Sequence, residues 1–371
     1  MTWNFRTQPY QFLGISFLLI CLLGALGVTA QRNRRAGLRQ RLEEAAQINR
    51  STITESFQFE GSERSYRLHL PPRLSNQKAV PLVVVLHGGG GNAKNIENVT
   101  AFSKKADQEG FIVVYPNGYS GDGALQTWNA WTCCGRAQTQ NSNDVGFIRE
   151  LVKRLKDRYN IDPNRVFATG HSNGAMMAYR LGCEMADTFA AIGPVAGPLN
   201  STNTLPSQPL SLIVIHGTGD GAAPYNGGTG RATGDFVFNP ASLGVKTWVN
   251  LTGCNPTPQT QQTGKVIHET YTGGRNQTEV EFFTIVDGPH PWPDAQGFTT
   301  EPPSRDLNAT DVVWGFFASH PKRRQAAALH SATTGLTFMA RRTGTVQARQ
   351  ATATRSNPIP KNVSGSLALT E

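Results

Sequence analysis

The chain has 371 residues, 38% of them hydrophobic and 16% charged, enough for one large domain or two ordinary ones with a sizeable core. Its net charge of +9 sits at the ends: seven arginines against two glutamates in residues 1–51 and eight Lys or Arg against Glu371 in residues 322–371, which leaves about −3 between them. A groove for nucleic acid needs that charge on the folded part, so the composition argues against a nucleic-acid partner.

In chain order, Phe12 to Val28 is apolar and uncharged and ends in Val28-Thr29-Ala30, a small-residue pattern suited to signal peptidase. Residues 1–30 read as a secretory signal, with an uncleaved membrane anchor as the alternative. For an anchor, Arg6 before the segment and Arg32, Arg34, Arg35, Arg39 and Arg41 after it would keep the rest inside the cell. Residues 31–51 follow as a basic linker. Once Cys21 has left with the signal, Cys133, Cys134, Cys183 and Cys254 remain, an even number suited to two bridges in an oxidising compartment. A bridge between the neighbours Cys133 and Cys134 strains the geometry, so the bridges are expected to run to Cys183 and Cys254, in an order the spacing leaves open. Sequons open at Asn98, Asn200, Asn250, Asn276, Asn308 and Asn362, which fits export and glycosylation.

The folded region is expected over residues 52–321. Thr54–Phe59 and Tyr66–Leu70 alternate in polarity and join at Glu60-Gly61-Ser62, the pattern of a hairpin. Leu82–Leu86 is continuously apolar and ends in His87-Gly88-Gly89-Gly90-Gly91, as in a strand buried on both faces. A helical stretch from Ala101 to Glu109 leads to the strand Phe111–Tyr115. Asp144–Tyr159 shows one apolar helical face through Val145, Ile148, Leu151, Val152 and Leu155. Strands at Arg165–Ala168, Ala190–Val195, Leu210–Ile215 and Val280–Ile285 alternate with helices at Ala175–Glu184, Pro240–Leu251 and Asp311–Phe317. From residue 322 onward Ala, Thr, Gln and Arg recur without hydrophobic periodicity, which predicts a disordered basic tail. The alternation predicts one α/β domain, a mostly parallel sheet with helices on both faces, whose active groups collect on loops at the carboxyl ends of strands.

Gly170-x-Ser172-x-Gly174 lies between a predicted strand and a predicted helix, the arrangement of a nucleophile elbow. Glycine two residues either side relieves a turn too sharp for side chains, and the following helix aims free N–H groups at the serine. A serine hydroxyl needs a base, and the base an orienting acid, in the chain order serine, acid, histidine. Asp220 ends the predicted strand Leu210–Ile215 within His216-Gly217-Thr218-Gly219-Asp220, and His290 follows the last strand within Asp287-Gly288-Pro289-His290-Pro291-Trp292-Pro293. Asp187 and Asp294 are weaker rivals because neither directly follows a strand before the histidine. His216 reads as holding the acid loop. The amide of Asn173 and one from the glycine run supply the two donors that a tetrahedral oxyanion requires.

Together, LHGGGGN, YPNG, WTCCGRA, DVGFI, IDPNRVFATGHSNGAMMAYRL, PVAG, IHGTGD and GPHPWP resemble the secreted polyhydroxybutyrate depolymerase-type and feruloyl esterase-like α/β-hydrolases over roughly residues 52–321. The resemblance implies an α/β-hydrolase fold with Ser172, Asp220 and His290 as triad and no metal or organic cofactor. It also implies Gly89 as the second oxyanion donor, Trp292 at the pocket, and structural roles for Cys133, Cys134, Cys183 and Cys254. Two departures stand out: Pro289 replaces a glycine usual before the histidine, and the acid loop reads GTGDGAAPY rather than G-T-x-D-x-x-V-P-Y. Trp128, Trp131 and Trp292 suggest an aromatic pocket for a phenolic acyl group. The expected activity is hydrolysis of small or polymeric esters, of hydroxyalkanoate or of feruloyl or acetyl polysaccharide. A peptidase, a thioesterase or a non-catalytic binding protein on the same scaffold is the alternative.

Overall fold

The apolar run at Leu82–Leu86 divides between two cores. Leu82, Val84 and Leu86 pack on one face of a sheet and Val83 and Val85 on the other, all fully buried. This two-faced burial explains why the run does not alternate with polar residues. The computed structural model describes residues 51–322, apart from residues 73, 75, 76, 122, 202–204, 232–235 and 298. The expected signal or anchor, nearly all of the basic linker and the tail beyond Lys322 lie outside the described residues. Among the described residues, no helix is long and apolar enough to cross a membrane.

In chain order the strands are β1 (Thr52–Phe59), β2 (Ser62–His69), β3 (Val80–Leu86), β4 (Ile112–Pro116), β5 (Ile161–His171), β6 (Ala191–Val195), β7 (Ser211–Gly217), the short β8 (Gly228–Thr229) and β9 (Val237–Phe238), β10 (Gln259–Thr263), β11 (Val266–Tyr271) and β12 (Val280–Ile285). The helices are α1 (Ala93–Thr100), α2 (Phe102–Glu109), α3 (Gly135–Thr139), α4 (Asp144–Arg158), α5 (Asn173–Glu184), α6 (Ala241–Thr252) and α7 (Ala309–Ser319). Ten strands form one sheet in the order β1-β2-β4-β3-β5-β6-β7-β12-β11-β10, and β8 pairs with β9 separately. From β4 to β12 every pairing is parallel; β1, β2, β10 and β11 add antiparallel edges. This is the α/β-hydrolase fold, as the sequence predicted.

Two local differences have simple causes. The predicted helix at Ala101–Glu109 is preceded by a separate helix, α1, with Ala101 in the left-handed region at φ 53° between the two. Its sequence AKNIENVT offers few apolar residues to periodicity, and it is held instead by the Asn92 side chain accepting the Asn95 amide. Strand β10 is exposed throughout, so it carries no buried face for a pattern to reveal.

The expected bridges to Cys183 and Cys254 are absent. Cys133 and Cys134 are paired with each other across a cis peptide bond, while Cys183 and Cys254 are free and buried. Cys254 instead acts as a small core residue, with Thr252 Oγ1 donating to its sulfur at 3.2 Å and its thiol donating to Thr278 O at 3.5 Å.

Candidate active site

Because β3, β5, β7 and β12 run parallel, the loops after Leu86, His171, Gly217 and Ile285 leave the sheet at one edge. Ser172 follows β5 and caps α5 with φ 56° and ψ −120°, a conformation costly for any residue bearing a side chain. Its amide donates to Val195 O at 3.0 Å, which fixes the turn from the neighbouring strand. The two flanking glycines are required for distinct reasons. A Cβ at residue 170 would collide with Gly174 O, and one at residue 174 with the carbonyl oxygens of Leu86 and His87. The sharp turn therefore rests on backbone packed against backbone, including that of β3. Gly174→Ala is expected to cost about 3 kcal/mol or more, read as a lowered Tm; an unchanged Tm would mean the elbow is not this tightly packed.

Ser172 faces a cleft of about 370 Å³ lined by Gly88–Gly91, Ile96, Val99, His171, His290, Pro291 and Trp292 among others. Asp220, on the loop after β7, has a fully buried side chain. Its Oδ1 accepts the amides of Ala222 and Ala223 at 2.9 and 2.8 Å, and its Oδ2 accepts His290 Nδ1–H at 2.8 Å. Burial alone would raise this carboxyl, but the adjoining imidazoles of His216 and His290 outweigh it and hold the group well below the usual carboxylate range. With Nδ1 on the acid, His290 keeps Nε2 for the cleft. Among the described residues, Ser172 Oγ makes no hydrogen bond. Such contacts often close only in the substrate complex.

β12 lies three places from β5, a span of about 14 Å at the usual strand spacing. The loop carrying His290 therefore has to double back over β7 and β6. It is stitched to the acid loop where the Gly219 amide donates to Gly288 O at 3.0 Å. At its far end the His290 amide donates to Glu301 Oε1 at 3.3 Å. Toward β5, His171 Nε2–H donates to His290 O at 2.8 Å, with the two rings 4.8 Å apart. Desolvation, and then the neighbouring His290, push His171 down to about 3, so it serves here as an uncharged donor. Glycine is needed in this loop at residue 288, where a Cβ would press on Ile285 at the end of β12, and in the acid loop at residue 217, where one would strike Gly288 O.

On the other side of the serine, a Cβ at Gly89 would lie 3.7 Å from Asn173 Cβ, so the two residues adjoin. Among the described residues, neither the Gly89 nor the Asn173 amide has an acceptor. The Asn173 side chain is otherwise engaged: Oδ1 accepts the Trp128 amide at 2.7 Å and Nδ2 donates to Trp128 O at 3.0 Å. The glycine loop is held from below by buried His87, whose Nε2 accepts the Gly118 amide at 2.9 Å and which burial pushes down to about 4. The roles of His171 and Glu301 went unread in the sequence because each acts across more than ten residues.

The tryptophans separate. Trp292 lines the cleft, although it is 1% exposed and its Nε1 donates to Thr310 Oγ1 at 3.1 Å. Trp131 and Trp128, expected at an aromatic pocket, do not line it. Trp131 Nε1 donates to Glu184 Oε1 at 3.1 Å at the far end of α5, and Trp128 is fully buried with Nε1 on His87 O at 2.9 Å. Both follow the loop that Asn173 ties down, which directs their rings inward or along α5. The rival acids lie elsewhere, Asp187 paired with Arg149 at 2.9 Å and Asp294 with Arg305 at 2.6 Å. Among the described residues, no group of three or more His, Cys, Asp or Glu could hold a metal ion.

The profile of the family described as esterase PHB depolymerase matches residues 64–204, which include the glycine loop, the elbow and α5. Over that stretch the chain is similar to this esterase family. Feruloyl esterase B of Piromyces equi is 29% identical over 61% of this chain and 42% of its own length. A putative esterase, NocK, of Nocardia uniformis subsp. tsuyamanensis is 34% identical over 45% of this chain and 48% of its own. Poly(3-hydroxyalkanoate) depolymerase C of Paucimonas lemoignei is 29% identical over 57% of this chain and 55% of its own. The chain thus spans about half the length of these relatives.

Proposed function

We propose that the protein is a serine carboxylic-ester hydrolase working through Ser172, His290 and Asp220. The observation that carries this reading is His290 held on the buried Asp220 at 2.8 Å and lining the same cleft as the strained Ser172. Ser172 Oγ attacks the ester carbonyl while His290 Nε2 takes its proton, and the Asn173 and Gly89 amides hold the resulting oxyanion. His290 then protonates the departing alcohol, leaving an acyl-enzyme. Water, deprotonated by the same nitrogen, releases the acid and regenerates the serine. Asp220 keeps the ring in the Nδ1–H tautomer and offsets its charge when protonated.

Ile96, Val99 and Trp292 give the cleft an apolar wall for the acyl group, and Leu125, 68% exposed, would stand at the rim within 3.6 Å of a Cβ on Gly90. The relatives direct the choice of substrate toward hydroxyalkanoate, feruloyl or acetyl esters. A panel of methyl ferulate, acetylated xylan, hydroxybutyrate oligomers and short aryl esters tests the reading. Turnover of at least the aryl esters is expected, and an aminoacyl anilide cleaved faster than every ester would replace it with a peptidase. Export is part of the proposal and rests on the sequence of residues 12–30; a mature protein that still begins at Met1 would overturn it.

A further inference from the structure

His216 occupies the last turn of β7 before the acid loop and, like Asp220, has no exposed side-chain surface. Its Nε2 lies 2.8 Å from Ala223 O and 3.2 Å from Asp220 Oδ2, the same oxygen that takes the proton of His290 Nδ1. A nitrogen set between a carbonyl oxygen and a carboxylate oxygen has to carry its hydrogen, since a bare lone pair would face two acceptors. That fixes the tautomer. The Nε2–H donates chiefly to Ala223 O, and its positive end rests against Oδ2. Nδ1 is then the lone-pair nitrogen, and it is buried with no partner among the described residues. Fastening the loop does not by itself explain an imidazole here, because an orphaned ring nitrogen is a penalty that an apolar residue avoids.

We propose that His216 is a positioning residue that moderates the Asp220–His290 pair, taking up part of the Oδ2 charge so that this oxygen does not hold a proton too firmly on the His290 ring. The inference rests on the roles given above to Asp220 and His290. A base must be free to accept a proton at neutral pH, and an imidazole facing a buried, otherwise unshared carboxylate oxygen is biased toward its charged form. The other groups around the pair do not supply this moderation. His171, from the end of β5, contacts the His290 carbonyl and ring and is uncharged over the working range. Glu301 accepts only the His290 amide and is itself paired with Arg231 at 3.4 Å. Tyr225 meets His216 edge-on at 5.8 Å, and its hydroxyl is hydrogen-bonded with Thr284 Oγ1 at 2.8 Å.

The test compares His216→Leu, which removes the donor, and His216→Asn, whose shorter amide draws it back from the Nε2 position, with His216→Gln, whose amide nitrogen reaches that position. Full-length protein is used. The acid limb of the kcat/KM profile on an aryl ester is recorded, and the His290 ring is titrated by NMR without substrate. The leucine and asparagine variants are expected to move both midpoints up by about half to one pH unit, with kcat at pH 6 reduced and KM little changed, while glutamine restores the wild-type position. If leucine does not fold, asparagine carries the comparison. An unmoved ring midpoint in the folded leucine or asparagine variant overturns the proposal, as does glutamine shifting as far as leucine. A wild type inert toward every ester would overturn the esterase reading instead, and the ring titration would still decide the part played by His216.

Discussion

Ser172→Ala is expected to lower kcat on a short aryl ester by about a million-fold while leaving KM nearly unchanged, the scale at which removal of a serine nucleophile acts in comparable triads. The loss is that large because the remaining groups act on a step that no longer exists. In the proposed mechanism His290 would have no hydroxyl to activate, and only the Gly89 and Asn173 amides would continue to help. The same position predicts a stability effect of opposite sense. Ser172 holds φ 56° and ψ −120° against its own preference, so Ser172→Gly should stabilise the fold by about 1 kcal/mol while abolishing turnover equally. Calorimetry and kinetics on the two variants separate the effects. An alanine variant that keeps more than about a hundredth of wild-type turnover, far above the residual expected of a triad deletion, would assign the nucleophile elsewhere.

Asp220→Asn should lower kcat by about ten-thousand-fold with the fold intact. An amide at residue 220 can still accept the Ala222 and Ala223 hydrogen bonds through its oxygen, but its nitrogen then faces His290 Nδ1 as a donor. The ring has to turn its lone pair to that nitrogen and carry its proton on Nε2, where the serine needs a base. The substitution also changes acid stability with a definite sign. The folded Asp220 carboxyl lies below its ordinary value of 3.8, so its contribution is fully present above that value and disappears as pH falls through the lower, folded value. Wild type is therefore expected to lose Tm below roughly pH 4 more steeply than the asparagine variant. Parallel Tm curves for the two proteins would contradict the charge assigned to this site. Asp220 stays ionised throughout the working range and so cannot supply the acid limb of the rate profile.

The order of elements was legible because continuous apolar runs such as Leu82–Leu86 and one-faced stretches such as Asp144–Arg158 encode burial directly. The elbow was legible for a related reason: Gly170 and Gly174 are demanded by backbone contacts within a few residues of the serine and on one adjoining strand. Asp220 and His290 could be nominated because each follows a strand whose carboxyl end meets the same edge. The Cys183 and Cys254 partners and the places of Trp128 and Trp131 were read wrongly, since composition says that sulfurs and indoles exist but not which way a tied-down loop turns them.

What the sequence determined on its own is a strand–turn–helix that lifts Ser172 clear of the sheet, because the forces that bend that turn are local. What only the tertiary structure decided is how the loop after β12, three strand positions from β5, brings His290 onto Asp220 and into the cleft that Ser172 lines, and how His171 and Glu301 hold that loop there. The His290 contacts with Glu301, Asp220 and His171 join residues 11, 70 and 119 positions apart, and their geometry is set by the order and spacing of strands rather than by any neighbouring residue type.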